Sequence, residues 1–425
     1  MTQPSAKPAL NVFVGASRAG VIHRSAEEHD SFLFSYENDC PRESAVSLTM
    51  PVGPEQIDSM GGLLPIFEMN LPEGVLRERL RKDFAKAIPN FDDLDLLAIV
   101  GESQIGRLRY SHQLQLSDEI PAQSIAEILT YRGVEDLFED LLRRFARYSG
   151  VSGMQPKVLL RDSASNDERL PERVTHVGAT HIVKSFDPRE FPELAANELL
   201  CTQGAQAAGI HTPRLALAEN RKMLIVERFD RLPGGEYLGV EDFCVLDSRR
   251  SHGRYDGSYE HIARRIGQFV SAKHRSPALE QFALMVAYAC ATENGDAHLK
   301  NFSVLYEHTS GEVRLAPAYD LVCTTAYMPR DTLALTLNGS KRFPERAELL
   351  KFIRSIASVT PARAAALLEQ AAQGVLKAVD AALAMGKEQS VTRRFIEAYV
   401  QALNRGIDRS FRDSSRTVSL PSRGG

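Results

Sequence analysis

The sequence predicts an α+β protein of two lobes, with a small β-rich N-terminal subdomain and a mostly helical C-terminal lobe. Three observations carry this. Residues 9 to 50 break into short runs of β-formers separated by turn residues. Residues 151 to 230 read strand, strand, helix, strand, strand, an α+β order. Beyond about residue 275 the apolar positions recur at helical spacing. A chain of 425 residues also exceeds what one compact core holds, so several subdomains are expected.

Taken in order, "ALNVFVG", "AGVIHR", "SFLFSYE" and "SAVSLTM" are expected strands of a small antiparallel unit, with "GASRAG" and "ENDCPRE" as turns. Then the period changes: Leu76, Leu80, Phe84 and Ile88 fall on one helical face after Pro72 and Glu73, which are good helix-start residues. "FDDLDLLAIVG" predicts a helix ending near Gly101. A polar linker follows, and "VEDLFEDLLRRFARYSG" predicts a helix with Leu137, Leu141, Leu142 and Phe145 on one side, stopping at Gly150. In the next lobe "PKVLLRD", "THIVKSF", "PRLALAE" and "KMLIVERF" are strands, interrupted by the helix "PELAANELLCTQGAQAAGI". The expected division is 1–117 for the N-terminal β-rich subdomain with its helices, 118–232 for the rest of the N-terminal lobe, 233–412 for the helical lobe and 413–425 for a disordered tail.

Composition narrows the function classes. With 43% hydrophobic and 25% charged residues the chain is ordinarily globular. A net charge of −4 gives no global case for nucleic-acid binding, which needs a cationic face. Nothing resembles a signal peptide or a membrane span. The five cysteines, Cys40, Cys201, Cys244, Cys290 and Cys323, are scattered with no CxxC pair, which points to reduced thiols in a cytoplasmic protein and away from structural zinc.

The chemistry concentrates in "ENGDAHLKNFSVLY", residues 293–306. It follows "ALEQFALMVAYACATE", which is apolar nearly all round and therefore reads as a buried helix. Asp296 and Asn301 stand five apart, the Asp-x-x-x-x-Asn spacing of a phosphotransferase catalytic loop. In such a loop the Asp accepts the proton of the attacking hydroxyl and the Asn oxygen binds Mg²⁺. "GEVRLAPAYDLV" supplies Asp320 after one short hairpin, a second oxygen ligand for a hard cation that keeps several waters. Lys300 could place a charge near a transferred phosphoryl group. A cap or turn role for Asn294 or Asp296, a turn carboxylate at Asp320, and a transition-metal pair of His298 with Asp296 are the competing readings; for the last, no second cluster of matching spacing exists.

Upstream, "SGVSGMQPKVLL" is a weak phosphate-loop signal, with neither Walker A nor GxGxxG present. Lys184 sits in a strand, and Glu198 in the following helix is its evident partner, as in the kinase pairing that holds the α- and β-phosphates. "LIVERFDR" runs from a strand into a linker, the place for a hinge whose backbone meets adenine; Glu227 and Asp230 are otherwise surface charges.

With these motifs in place, the chain resembles the HipA-type serine/threonine kinases, the toxin components of bacterial HipBA toxin–antitoxin modules. "GLLPIFEMNLPEG" resembles the family's N-terminal motif, "SGVSGMQPK" its phosphate loop, "THIVKSF" its lysine strand and "ANELLC" its glutamate helix. "VERFDR" resembles its hinge, "NGDAHLKNFS" its catalytic loop and "LAPAYDLV" its metal-binding Asp. The resemblance implies a two-lobed protein-kinase-like fold, ATP and Mg²⁺, and transfer to a protein hydroxyl. It further implies a translation target like glutamyl-tRNA synthetase, a role in persistence, and a HipB-like helix-turn-helix antitoxin through which DNA is mainly met. Residue by residue it implies Asp296 as base with Lys300 beside it, and Asn301 and Asp320 as metal ligands. It places Ser152, Gly153, Gln155, Lys157, Lys184, Glu198, Glu227, Phe229, Asp230 and His298 around the nucleotide.

Two departures matter. The family's inhibitory autophosphorylation serine lies three residues before the loop glycine, where this chain has Gly150; Ser152 and Ser149 are the remaining candidates. A usual Gln is Val245 here. A phosphate on Ser152 would add about −1.5 to −2 charge where ATP phosphates must sit, so ejection of the loop is expected. The rival readings are a small-molecule phosphotransferase of the aminoglycoside or choline kinase kind, whose loop also reads Gly-Asp-x-His-x-x-Asn, and an inactive antitoxin-binding co-repressor. "DSRRSHGRYDGS", residues 247–258, reads as a mobile basic loop that could engage substrate.

Overall fold

The computed structural model describes residues 8–26, 30–116, 122–132, 137–153, 155–163, 178–187, 189–388 and 391–412. The expected disordered tail lies outside the described residues. The chain opens in an antiparallel sheet of β1 (Leu10–Val14), β2 (Ser17–Arg24), β3 (Phe32–Tyr36), β4 (Ile57–Ser59) and β5 (Leu108–Ser111), in the order β4-β3-β2-β1-β5. Alternation puts Leu10, Val12, Ile22, Phe32 and Phe34 into a core. They meet Phe67 of α1 (Pro65–Glu68), Leu76 and Leu80 of α2 (Gly74–Phe84), and Leu94 and Leu97 of α3 (Asp93–Val100). Asp92 and Asp95 close a capping box on α3, which ends at Gly101 as its spacing predicts.

The expected strand "SAVSLTM" does not form. Ser47 Oγ donates to Glu241 at 2.6 Å and the Leu48 N–H donates to the same carboxylate at 2.8 Å, so this backbone serves a buried acid instead of a sheet neighbour. The expected helix after Pro72 stops at Phe84, leaving Ile88 outside it.

The second sheet comprises β6 (Ala122–Gln123), β7 (Lys157–Asp162), β8 (His181–Ser185), β9 (Leu215–Leu217) and β10 (Met223–Glu227), in the order β6-β7-β8-β10-β9. Val158, Leu160, Val183 and Ile225 face the first core, together with Phe138, Leu141, Leu142 and Phe145 of α5 (Leu137–Phe145), which follows α4 (Ile125–Thr130). Leu137 itself is only half-buried. Helix α5 ends before Gly150, because Ser149 Oγ donates to the Phe145 carbonyl at 2.7 Å after a 3-10 turn. On the far side of this sheet lies α6 (Leu194–Ala207).

The C-terminal lobe packs α7 (Phe243–Leu246), α8 (Tyr259–Phe269), α9 (Ala272–Ala291), α10 (Arg346–Ala357), α11 (Pro361–Lys387) and α12 (Arg393–Ser410) around one apolar core. It also carries a small sheet: β12 (Ser303–Tyr306) and β13 (Val313–Leu315) are the short hairpin expected before Asp320, and β11 (Gly239–Asp242), which the sequence did not announce, joins them on the other side of β12. Every residue of α9 from Phe282 to Ala291 is buried, as its all-round apolar face requires. Among the described residues no helix is long and apolar enough to cross a membrane.

Helix α6 is set against α11 by two glycines. A Cβ on Gly374 would lie 2.5 Å from the Gly204 carbonyl oxygen, and one on Gly204 would lie 2.7 Å from the Gly374 carbonyl oxygen. This contact fixes the height of α6, and with it Glu198. Gly374→Val is therefore expected to destabilise the fold by about 1–3 kcal/mol through overpacking. A urea-unfolding midpoint equal to wild type would show that the crossing can relax.

Candidate active site

One cleft, open to solvent, gathers the sequence-predicted residues from every part of the chain. Ser152, Gly153 and Gln155 come from the loop before β7, and Lys157, Lys184 and Glu198 from β7, β8 and α6. Glu227, Phe229 and Asp230 come from the end of β10, and Asp296, His298, Lys300, Asn301 and Asp320 from the C-terminal lobe.

The strand register explains the cationic floor. β7 and β8 are antiparallel with Lys157 directly opposite Lys184, both on the cleft face and both about 4% exposed. Two buried ammonium groups side by side need anions. Lys184 Nζ donates to Glu198 Oε1 at 2.5 Å and also to Asp320. Burial alone would lower the Lys184 pKa, but Asp320 and Glu198 outweigh it and hold it above the usual lysine value. Lys157 is pushed down, by burial and by Lys184, and donates to the Ser152 carbonyl at 3.1 Å. Asn197, which spacing did not single out, accepts from the Cys323 N–H at 2.8 Å and donates to its carbonyl at 3.0 Å. That clip ties α6 to the segment just beyond Asp320, so Glu198 and Asp320 converge on one lysine.

The catalytic-type loop is braced from below. Glu293, at φ +51°, is buried and accepts from Arg405 at 2.9 Å and Arg409 at 2.8 Å on α12. Thr324 Oγ1 accepts the Gly295 N–H at 2.8 Å and donates to the Glu293 carbonyl at 3.1 Å. Asn294 Oδ1 accepts the Asp296 N–H at 2.9 Å, a local turn bond, while the Asp296 carboxylate faces the cleft half-exposed. Asn301 Oδ1 accepts the His298 N–H at 3.0 Å, which leaves that oxygen one lone pair. Asp320 sits at φ +54°, in the left-handed region that Asp and Asn enter more readily than other side chains. Burial opposes ionisation there, yet Lys184 and Lys157 hold its carboxyl down at about 2. His298 is pushed below its usual value by burial, and its Nδ1 has no partner among the described residues.

Several placements refine the expectations. Asp230 lines the cleft wall, but its carboxylate is committed to Arg228, at 2.6 Å and 2.9 Å, and to the Gly106 N–H at 2.7 Å. It braces the hinge against the N-terminal subdomain and offers no free oxygen-rich face. The Glu227 side chain points to solvent. Phe229 stacks on Tyr319 at 5.7 Å and, with Ile182, Leu215, Val226 and Val322, forms an apolar slot. Ser149 is fully buried, its hydroxyl spanning the Phe145 carbonyl and the Leu159 N–H, so it is not an accessible phosphate acceptor. At Gly150 a Cβ would lie 2.0 Å from the Gln104 side chain, so a serine there would require that side chain to move. Loop 247–258 is not free: Arg250 donates to the Leu63, Met60 and Gly62 carbonyls at 3.0, 2.6 and 3.0 Å, and the Ser251 N–H to Glu68 at 2.8 Å.

Glu73 is a functional residue that spacing missed; at sequence level it reads only as a helix start. It ends the break between α1 and α2 and enters the cleft, where Lys300 and Ser152 Oγ donate to Oε1 and Arg254 donates to Oε2 at 3.1 Å. Lys300 is thus anchored, not free. Burial pushes the Glu73 carboxyl up, but Lys300, Ser152 and Arg254 prevail and hold it at about 2 against an ordinary 4.5. The unfolded chain takes up this proton near 4.5 and the folded chain only near 2, so the stabilisation is complete above 4.5 and fades as pH falls toward 2. The unfolding free-energy gap between wild type and Glu73→Gln is expected to be flat above that pH and to shrink below it, by up to ~3 kcal/mol. A gap that ignores pH would exclude the ion pair as its source.

A magnesium nucleotide fits what is present. Among the described residues no group of three or more His, Cys, Asp or Glu is set to hold a metal alone. Asn301 with a spare lone pair and Asp320 offer two hard oxygens, the set expected when phosphates and water complete the shell. Gly153, at φ +118°, leaves space that a Cβ would fill 2.1 Å from Lys157 Nζ, so backbone and lysine can approach an anion together.

Two family models match the chain, the HipA N-terminal domain over residues 10–111 and the HipA-like C-terminal domain over residues 149–382, the latter more than half of it. Among curated proteins, the chain is 28% identical over 298 residues to the Sinorhizobium fredii protein named "Putative kinase Y4dM", covering 65% of this chain and 66% of that one. A Haemophilus influenzae protein of like description is 31% identical over 191 residues, 42% of this chain and 53% of that one. The chain thus spans about half to two-thirds of the length of these relatives. Among solved structures, a chain of the Shewanella oneidensis MR-1 toxin–antitoxin complex of HipA, HipB and operator DNA superposes with a TM-score of 0.67. It is 18% identical, with 94% of this chain and 97% of that one covered, and shows the same fold.

Proposed function

We propose, from the premise that this chain belongs to the HipA family, that it is a magnesium- and ATP-dependent serine/threonine protein kinase and the toxin of a toxin–antitoxin pair. The observation that carries this reading is the convergence of Asp296, Asn301, Asp320 and the Lys184–Glu198 pair in one cleft. Magnesium and ATP, when bound, supply charge neutralisation and the phosphoryl group. Asn301 and Asp320 would hold the metal. Lys184 and Lys157 meet phosphate oxygens from adjacent strands, with Glu198 keeping Lys184 charged and aimed. The slot between Phe229 and Leu215 takes the planar base, and Asp296 accepts the proton of the acceptor hydroxyl. Lys300, fixed by Glu73, sets a positive charge beside the reacting phosphate without reorganising.

The HipA, HipB and operator DNA complex that shares this fold supports a HipB-like antitoxin as partner, with DNA met through that complex. A translation factor such as glutamyl-tRNA synthetase is the proposed acceptor, and persistence the proposed consequence, in the cytoplasm. The test is label transfer from ATP with magnesium to glutamyl-tRNA synthetase, a lysate and small-molecule acceptors in parallel. Label on a protein supports the reading. Label confined to small molecules favours the aminoglycoside-kinase type, and bound ATP without transfer favours an inactive co-repressor.

A further inference from the structure

Loop 247–258 also reaches the catalytic-type loop. Tyr255, 41% exposed, donates its hydroxyl to Asp296 Oδ1 at 2.8 Å, with its ring edge-on to His298 at 5.1 Å. A general base must lie within hydrogen-bond reach of the proton it removes, and here it already holds one. The tyrosine is placed there by its backbone. The Leu299 N–H, inside the catalytic-type loop, donates to the Arg254 carbonyl at 3.1 Å, and Lys341 donates to the Tyr255 carbonyl at 3.4 Å. Arg254 beside it is tied to Glu73, and Arg250 is bolted to the N-terminal subdomain. Of the other hydroxyls expected to accept phosphate within the chain, Ser149 is buried and Ser152 Oγ is engaged by Glu73 and Lys300, not by Asp296.

We propose that Tyr255 is a phosphate acceptor within the chain itself, its hydroxyl standing where an acceptor hydroxyl meets the base. The inference rests on the kinase reading, since ATP is the donor, and widens the acceptor within the chain from a serine or threonine hydroxyl to a phenol held on the base. Tyr255 Oη forms a bond to the γ-phosphorus; the bond from that phosphorus to the β–γ bridging oxygen breaks, its electron pair leaving on ADP; the phenolic proton passes to Asp296. Burial and the Asp296 carboxylate raise the Tyr255 phenol above its usual value, so the hydroxyl is a proton donor until the base takes that proton. The product carries about −1.5 to −2 charge and no proton to share with Asp296. Repulsion then drives the ring off the base and opens it to an external hydroxyl, with Arg254 as the adjacent cation.

The test incubates the full chain with labelled ATP and magnesium, with and without a lysate, and locates phosphate by peptide fragmentation. Wild type, Asp296→Asn and Tyr255→Phe are compared. Tyr259 shares the peptide but is fully buried with its hydroxyl on the Ala297 carbonyl, so it serves as an internal control. Expected is phosphate on Tyr255 in wild type, roughly tenfold or more reduced in Asp296→Asn, with label on that peptide lost in Tyr255→Phe. A wild-type protein that labels Ser152 or a lysate protein while Tyr255 stays unmodified overturns the proposal and leaves the kinase reading intact. No label anywhere overturns both.

Discussion

Asp296→Asn is expected to lower phosphoryl transfer by roughly 10²–10⁴-fold while leaving the fold and nucleotide affinity near wild type. The substitution keeps the shape of the side chain and an oxygen that can accept from Tyr255, so the loop has no reason to move. The loop is held by other residues in any case, through Asn294, Thr324 and Glu293. The Asp296 side chain is half-exposed, so no packing is lost. What disappears is the ability to take a proton as the acceptor oxygen attacks. Initial rates of label transfer, beside nucleotide titration of the same preparations, separate these effects. An Asn variant at full rate would remove Asp296 as the base, and one that no longer binds nucleotide would make its role structural.

How much of this was legible in the chain depends on the distance over which each contact acts. Asp296, Asn301 and Asp320 lie within 25 residues, on one loop and the hairpin after it, so spacing alone could assemble them. The Lys184–Glu198 pair follows from one strand and the next helix. Lys157 is different: that it faces Lys184 depends on the register of β7 against β8, which no local pattern encodes. Glu73, Asn197 and Tyr255 are harder still, because each acts on a partner that another part of the chain supplies. Their signals were only a helix-start motif, a neighbour of Glu198 and an aromatic in a basic loop. The false strand at residues 44–50 has the same origin. Its β-formers are real, but buried Glu241 needs donors, and Ser47 and Leu48 supply them. The periodicity within each element was local; the pairing of strands and the satisfaction of buried charge were not.

Asp320→Asn is expected to reduce magnesium-dependent nucleotide affinity by at least about 100-fold, since even indirect supports of metal ligands cost 10–100-fold when removed. Asn is the informative choice because it tolerates the left-handed backbone that this position holds, so the loop can keep its path. Lys184 retains Glu198 at 2.5 Å, and the floor of the cleft retains its charge. The sign of the effect should depend on the cation. With magnesium present, a ligand and its negative charge are lost together and binding weakens. With magnesium chelated, the same loss removes a carboxylate that faces the triphosphate, so the variant should bind ATP as well as wild type or better. A variant weakened equally in both conditions would mean that Asp320 shapes the cleft through Lys184, and that the metal is held elsewhere. Unchanged affinity with magnesium would remove Asp320 from the ligand set altogether.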